Sequence, residues 1–213
     1  MIITLSGVDG SGKTTIGKLL FNRLERQGYK VKYRVEFDYF LLGYLKKVIN
    51  LISGKRNTAN VIKTKILIEK SYPILIGKIW VYLTFFDLLI EYFLYKLFFK
   101  KKIIIFDRCV YDFLVGWEWI GYSDKYTRWL YLRFPKFDHS YLLDVNPKIA
   151  FERKKDKQQN DLFFFISLRK MYLKLNRKVN LFTILKTSLN KEIVIERIVK
   201  DIKSNYIFKE SKF

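Results

Sequence analysis

The chain has 213 residues, of which 50% are hydrophobic and 29% charged, so it is long enough for one domain with a sizeable core and too hydrophobic for an intrinsically disordered chain. With one cysteine and one histidine, it contains no internal disulfide and no zinc site built from cysteine and histidine ligands. Its formal net charge of +21 would attract nucleotides, nucleic acid or acidic lipid head groups, although a lysine-rich surface without a function explains the same excess.

The first part of the chain predicts a strand, a loop and a helix. Residues 2–6 form a short β-rich run, and no basic segment followed by an apolar one precedes it, so we expect a cytoplasmic protein without a signal peptide. A glycine-containing loop follows. The amphipathic pattern from Thr14 to Arg26 then predicts a helix, which we expect to end at Gly28.

Strands and helices alternate along the rest of the chain. The apolar run Ile103–Phe106 predicts a central parallel strand, because such strands are buried on both faces. The other predicted elements are strands at Val31–Val35, Ser140–Val145 and Phe182–Leu185, and helices at Tyr39–Ile52, from Asn146-Pro147 onward, and at Lys191–Lys203. This alternation predicts an α/β fold, in one domain over residues 1–213, with a parallel sheet covered by helices on both faces.

The segment Ile79–Phe99 is long enough to span a bilayer. It contains Asp87, Glu91 and Lys96, however, and a charge at the bilayer centre costs about 2.5–3.5 kcal/mol. Asp87, Glu91 and Tyr95 follow one another at helical spacing. We therefore expect a buried helix with one polar stripe and no transmembrane span, with a membrane-anchored protein as the alternative.

Residues 7–14 read Gly-Val-Asp-Gly-Ser-Gly-Lys-Thr and match the phosphate-binding pattern G-x-x-x-x-G-K-[ST] in full. Glycines let successive backbone N–H groups converge on phosphate oxygens at the N-terminus of the following helix. The lysine can then reach the β- and γ-phosphates, and the threonine hydroxyl can bind Mg²⁺. The residues expected to bind ATP are Gly7, Gly10, Ser11, Gly12, Lys13, Thr14 and Thr15.

A second acid is expected at the end of a neighbouring strand. Asp107 and Arg108 directly follow the run Ile103–Phe106, at the carboxyl end of a predicted strand, where α/β sheets bind ligands. Asp107 would hold Mg²⁺ together with Thr14, and Arg108 would bind a phosphate through two hydrogen bonds. A surface ion pair without a function is the alternative.

Four cations lie between residues 153 and 157. A basic segment there predicts a short lid, over about residues 151–165, that closes over the phosphates and excludes water. A solvated helix face is the alternative interpretation of the same charges.

These features together resemble the thymidylate kinase family of P-loop nucleoside monophosphate kinases. The resemblance rests on residues 7–15, Asp107-Arg108, residues 137–145 and residues 150–153, which follow in order over most of the chain. It implies a three-layer P-loop NTPase fold with a five-stranded parallel sheet in the order 2-3-1-4-5. It also implies ATP- and Mg²⁺-dependent phosphorylation of a nucleoside monophosphate, with dTMP as the leading acceptor, and a homodimer.

The resemblance also assigns roles to individual residues. Asp9 would contact the sugar of the acceptor nucleotide, and Arg108 would bind its phosphate. Because Ser11 stands where one subtype has an arginine in the loop, the lid would supply the catalytic cation, for which Arg153 is the candidate. The predicted catalytic residues are Lys13, Asp107, Arg108 and Arg153.

The acceptor side departs from the family pattern. Leu88 follows Asp87 where an arginine would read the thymine edge, and Gly116-Trp117 replaces a Tyr-Gln pair that touches the base. Residues 34–36 read Arg-Val-Glu without the expected proline. The candidates for acceptor contact are Asp9, Arg34, Phe85, Phe86 and Asp112, with Phe85 or Phe86 expected to stack on the base.

Two alternatives therefore stay open. One is a kinase of the same fold that phosphorylates another nucleotide, a sugar or a membrane-associated alcohol, with Asp112 as the general base toward a hydroxyl group. The other is a basic nucleic-acid-binding protein that uses ATP as a switch, which we expect less than a small nucleotide substrate.

Overall fold

The computed structural model describes residues 1–35, 74–154, 161–187 and 190–210. The chain divides into two compact units. Unit 1 comprises Met1–Val35, Lys101–Arg108 and Phe137–Phe213, and unit 2 comprises Glu36–Lys100 and Cys109–Lys136. The helix expected over Tyr39–Ile52 and residues 155–160 of the expected lid lie outside the described residues. The single domain over 1–213 stays a prediction.

Unit 1 contains a five-stranded sheet in which every pair of neighbouring strands is parallel, in the order β2-β3-β1-β4-β5. The strands are β1 (Ile2–Ser6), β2 (Val31–Val35), β3 (Ile103–Asp107), β4 (His139–Asp144) and β5 (Thr183–Lys186). This confirms the predicted fold class and strand order. All five predicted strands are present, and no strand end differs from the prediction by more than one residue.

The helices of the described residues are α1 (Lys13–Arg26), α2 (Ile74–Phe98), α3 (Val110–Ile120), α4 (Lys125–Leu132), α5 (Pro147–Glu152), α6 (Leu162–Val179) and α7 (Lys191–Glu210). Helices α2, α3 and α4 belong to unit 2, and the others to unit 1. As predicted, Asn146 and Pro147 begin α5: the Asn146 side chain accepts a hydrogen bond from the Lys148 N–H.

The core of unit 1 lies between the sheet and two helices. Ile3 and Ile105 pair across β1 and β3, and both are fully buried. Helix α1 packs Ile16, Leu20 and Leu24 against this face, at the four-residue spacing that forms an apolar stripe. Helix α7 adds a second apolar stripe that includes Val194, Ile195, Ile198, Val199 and Ile202. The sheet therefore holds the loop after β1 and the end of β3 on a rigid base.

Helix α2 of unit 2 has two apolar sides and a buried acidic side. Asp87 and Glu91 are 3% and 5% exposed, so the predicted polar stripe is indeed buried. A row of large apolar side chains is exposed on another side: Leu75, Ile79, Leu83, Phe86, Ile90, Phe93 and Leu97. Across the described ranges, no helix combines the length and the apolarity that crossing a bilayer requires.

Candidate active site

The loop between β1 and α1 has a backbone that favours glycine at three positions, Gly7, Gly10 and Gly12. Gly7 and Gly10 have φ angles of 142° and 78°, which side chains disfavour. A Cβ atom at Gly7 would lie 2.7 Å from the Leu143 carbonyl oxygen, and one at Gly10 would lie 2.6 Å from that of Ala150. The loop thus packs backbone to backbone and leads into the N-terminus of α1, where anions are stabilised.

Lys13 is held inside the curve of this loop. Its Nζ atom donates hydrogen bonds to the carbonyl oxygens of Gly7 and Val8, both at 2.8 Å. The same atom lies 3.9 Å from Asp9 Oδ1, and the lysine is only 5% exposed. The ammonium group therefore occupies the position from which it can bind a phosphate in the loop.

Ser11 carries a buried hydroxyl for which the described residues provide no hydrogen-bond partner. Leaving a buried polar group unpaired costs about 1–3 kcal/mol. Such an atom indicates a place where a ligand or water supplies the partner. The residues of the loop thus fit a bound phosphate group.

Thr14 and Asp107, the predicted metal-binding pair, are in direct contact. The Thr14 hydroxyl donates to Asp107 Oδ2 at 2.6 Å, although the two residues lie far apart in the sequence. Mg²⁺ prefers oxygen ligands and is bound by one or two protein groups together with phosphates and water. A hydroxyl and a carboxylate beside a phosphate-binding loop therefore fit this ion.

Tyr33 joins the same carboxylate. Its phenol donates to Asp107 Oδ2 at 2.9 Å from the neighbouring strand β2. Burial, followed by the negative charge of Asp107, raises the pKa of Tyr33 above its ordinary value, so the phenol keeps the proton that it donates. Tyr33 was not among the site residues predicted from the sequence.

A glycine in the middle of a helix is the signal that could have indicated Tyr33. A Cβ atom at Gly17 of α1 would lie 2.6 Å from Cε2 of the Tyr33 ring. A glycine inside a predicted helix often indicates close packing of another group. It does not by itself say which group packs there.

Arg108 and Asp9, the residues expected to bind the acceptor, form an ion pair. The Arg108 guanidinium donates to Asp9 Oδ1, and both side chains are about one-fifth exposed. Arg108 has a φ angle of +83°, a left-handed conformation that costs about 1–2 kcal/mol for a residue with a side chain. Its N–H is fixed by the Leu5 carbonyl oxygen at 2.8 Å.

Arg153 reaches the loop from the end of α5. Its Nη1 donates to the Gly10 carbonyl oxygen at 3.0 Å, and the side chain is exposed. Arg34 lies near the end of β2, opposite Phe106 of β3, and is partly buried. The structure thus brings Lys13, Arg108 and Arg153 to one loop.

Three other predicted site residues lie in unit 2. Phe85 is buried, with its ring centroid 5.3 Å from that of Tyr131 and 5.8 Å from that of Phe134. Phe86 is 53% exposed. Asp112 is buried, and its Oδ2 accepts the Cys109 N–H at 2.8 Å, which caps α3. Their contacts with an acceptor stay predictions.

Three curated proteins are similar to this chain over nearly its whole length. It is 26% identical over 205 residues to "Probable thymidylate kinase" of Sulfurisphaera tokodaii, covering 94% of each chain. It is 28% identical over 209 residues to the protein of the same name from Sulfolobus acidocaldarius, covering 94% of this chain and 93% of that one. It is 29% identical to "Probable thymidylate kinase 1" of Saccharolobus solfataricus, covering 96% and 97%. No protein-family model matches the chain.

Two solved structures share the fold. Both are of deoxyadenosine kinase from M. mycoides, one with dCMP and a flexible dCDP, the other with dATP. The first has a TM-score of 0.60 at 17% identity and covers 96% of this chain and all of that one. The second has a TM-score of 0.57 at 19% identity and covers 95% of this chain and all of that one. The comparisons confirm the resemblance expected from the sequence motifs.

Proposed function

We propose that this P-loop nucleotide kinase, which resembles thymidylate kinases over nearly its whole length, transfers the γ-phosphoryl group of ATP to the phosphate of dTMP. One observation carries the proposal: three positively charged side chains donate hydrogen bonds to residues 7–10 of the loop. Lys13 is bonded to Gly7 and Val8, Arg108 to Asp9, and Arg153 to Gly10. Phosphoryl transfer depends mainly on positioning and on the neutralisation of phosphate charge.

The donor side is formed by the loop itself. Its backbone N–H groups would bind the β- and γ-phosphates of ATP at the N-terminus of α1. Lys13 would exchange the carbonyl oxygens of Gly7 and Val8 for phosphate oxygens, and the buried Ser11 hydroxyl would gain a partner. Arg153, which donates to the Gly10 carbonyl oxygen, would add positive charge at the loop.

Thr14 and Asp107 would hold Mg²⁺ through a hydroxyl and a carboxylate oxygen. When bound, the ion neutralises negative charge on the β- and γ-phosphates. The contact of Thr14 with Asp107 already brings these two oxygen groups together. The chain therefore needs no large movement of either residue to bind the ion.

The acceptor side is formed by the Asp9–Arg108 pair. Arg108 would exchange Asp9 for the phosphate of dTMP, and Asp9 would bind the sugar. A phosphate acceptor is already ionised at neutral pH and needs no general base. This agrees with the position of Asp112, whose carboxylate caps a helix.

The experiment is ADP release from purified protein with ATP and Mg²⁺, against a panel of acceptors. The panel contains dTMP, dUMP, UMP, CMP, AMP, GMP, thymidine, deoxyadenosine and sugar alcohols. We expect turnover with dTMP to exceed turnover with every other acceptor, and to be lost in Lys13→Ala. Turnover with a nucleoside or a sugar alcohol in preference to dTMP would contradict the proposal.

The expected homodimer, the cytoplasmic location and the preference for a nucleotide over nucleic acid stay predictions. The exposed apolar row on α2 is consistent with a second copy of the chain. Light scattering at low micromolar concentration should give twice the mass of one chain. A monomer at that concentration would contradict the expected dimer and leave the proposed reaction unaffected.

A further inference from the structure

We infer that Tyr33 is a positioning residue that fixes the Asp107 carboxylate for Mg²⁺ binding through the hydrogen bond of its phenol. The inference rests on the proposed function, because it concerns the acid that would hold the ion. Tyr33 is outside the phosphate-binding motif and outside the Asp-Arg pair, so neither motif assigns it a role.

The first observation is the arrangement of the two carboxylate oxygens. Oδ2 of Asp107 accepts two hydrogen bonds, from Thr14 at 2.6 Å and from Tyr33 at 2.9 Å. Within the described part of the chain, Oδ1 accepts none. Two donors on one oxygen restrict rotation of the carboxylate and leave the other oxygen available to the ion or its water.

The second observation is the space that α1 leaves for the Tyr33 ring. Gly17 lies one turn after Thr14, is buried, and has no left-handed φ angle that would require glycine. A Cβ atom there would lie 2.6 Å from the Tyr33 ring and 3.1 Å from its hydroxyl oxygen. Glycine inside a helix costs about 0.5–1 kcal/mol relative to alanine. The close approach of the Tyr33 ring explains why glycine occupies this position despite the cost.

The third observation is the register of the sheet. In the parallel pair of β2 and β3, Val35 lies opposite Asp107, and Tyr33 lies opposite Ile105. Side chains two residues apart on a strand share a face, so Tyr33 and Asp107 are on the same face of the sheet. The phenol therefore reaches the carboxylate along that face, from the strand that pairs directly with β3.

Packing alone would need only the ring, so the hydroxyl can be tested by Tyr33→Phe. The probe is Mn²⁺ in place of Mg²⁺, and its binding to the enzyme–ADP complex is measured by electron paramagnetic resonance. We expect the dissociation constant for Mn²⁺ to rise about fivefold to tenfold, which corresponds to one lost hydrogen bond of about 1 kcal/mol. The affinity for ADP without metal and the melting temperature should stay close to those of the unmodified protein.

Tyr141→Phe is the matched control. The Tyr141 phenol of β4 donates to the Asp201 carboxylate of α7 at 3.2 Å, and neither residue belongs to the loop or to the Thr14–Asp107 pair. This variant also removes a phenol–carboxylate hydrogen bond, and we expect no change in Mn²⁺ binding. Equal effects of the two variants on Mn²⁺ binding would overturn the inference.

Gly17→Ala is a second variant, because the added methyl group must displace the Tyr33 ring. We expect it to weaken Mn²⁺ binding as Tyr33→Phe does. Because both substitutions act on the same hydrogen bond, the double variant should bind Mn²⁺ no more weakly than the single variant with the lower affinity. Mn²⁺ binding by Tyr33→Phe at the unmodified level would overturn the role of Tyr33 alone. Failure of the unmodified protein to bind ADP and Mn²⁺ would overturn the proposed function as well.

Discussion

The predicted site residues of the two units differ in the partners of their side chains. In unit 1, the bonds join residues from different elements: Thr14 of α1 contacts Asp107 of β3, and Arg108 contacts Asp9 of the loop. In unit 2, Phe85 packs in an aromatic cluster, and Asp112 caps the helix on which it lies.

We propose that this difference separates residues that act on phosphates from residues that maintain the fold. Bonds between polar side chains of different elements hold charges in the positions that phosphoryl transfer requires. An aromatic cluster and a helix cap are explained by stability alone. We therefore expect substitutions of the predicted site residues of unit 1 to reduce turnover, and truncation of Phe85 or Asp112 to reduce stability.

Lys13→Ala is the substitution with the largest expected effect. Removing one preorganised cation from a phosphoryl-transfer site should lower kcat by about 10²-fold to 10³-fold. Lys18→Ala, on the exposed side of the same helix, is the control and should keep full turnover. Steady-state ADP formation measures both variants. A decrease of kcat of less than fivefold in Lys13→Ala would contradict the assignment of phosphoryl transfer to the loop of unit 1.

Phe85→Ala should cost about 3–5 kcal/mol of unfolding free energy, because it leaves a cavity among buried rings. Its exposed neighbour is the matched control, and Phe86→Ala should change the unfolding free energy by no more than about 0.5 kcal/mol. Urea unfolding measures both. A tenfold rise of KM for dTMP in Phe86→Ala, with unchanged stability, would contradict this difference between the units, because it would indicate a direct contact of Phe86 with the base.

Arg108→Gly and Arg108→Ala should both lose turnover, since both lack the guanidinium. Their stabilities should differ, because glycine adopts the left-handed backbone at this position without strain. We expect the glycine variant to be more stable by about 1 kcal/mol, or roughly 2–4 °C in melting temperature for a chain of this size. Equal melting temperatures would show that the backbone at Arg108 is not strained.

Asp112→Asn has the smallest expected effect. The amide oxygen of asparagine can still accept the Cys109 N–H, so the cap remains and kcat should stay within about twofold. Asp112→Ala removes the cap and should cost about 1 kcal/mol of stability. A hundredfold loss of turnover in Asp112→Asn at unchanged melting temperature would instead favour a general base and a hydroxyl acceptor.

The strands and the loop were predictable because their causes are local. Strand β3 is buried between β1 and β2 and therefore appears in the sequence as the apolar run Ile103–Phe106. The loop requires glycine at Gly7 and Gly10, and the spacing of these glycines to Lys13 is visible in the sequence. Asp107 and Arg108 follow from the end of the strand.

The partners of Tyr33 and Phe85 were not predictable for the opposite reason. The bond from Tyr33 to Asp107 joins residues 74 positions apart and depends on the register of β2 with β3. Helix α2 has two apolar sides, and helical spacing does not tell which one is buried. Only the packing of Phe85 against Tyr131 and Phe134 distinguishes it from the exposed Phe86.

The most direct test of the account is a comparison of dTMP with thymidine as ligands of the unmodified protein and of Arg108→Gly. Isothermal titration calorimetry gives four dissociation constants, and their ratio isolates the interaction of Arg108 with the acceptor phosphate. The account predicts that the unmodified protein binds dTMP at least about tenfold more tightly than thymidine, and that Arg108→Gly binds the two with equal affinity. An unchanged preference for dTMP in Arg108→Gly would contradict it.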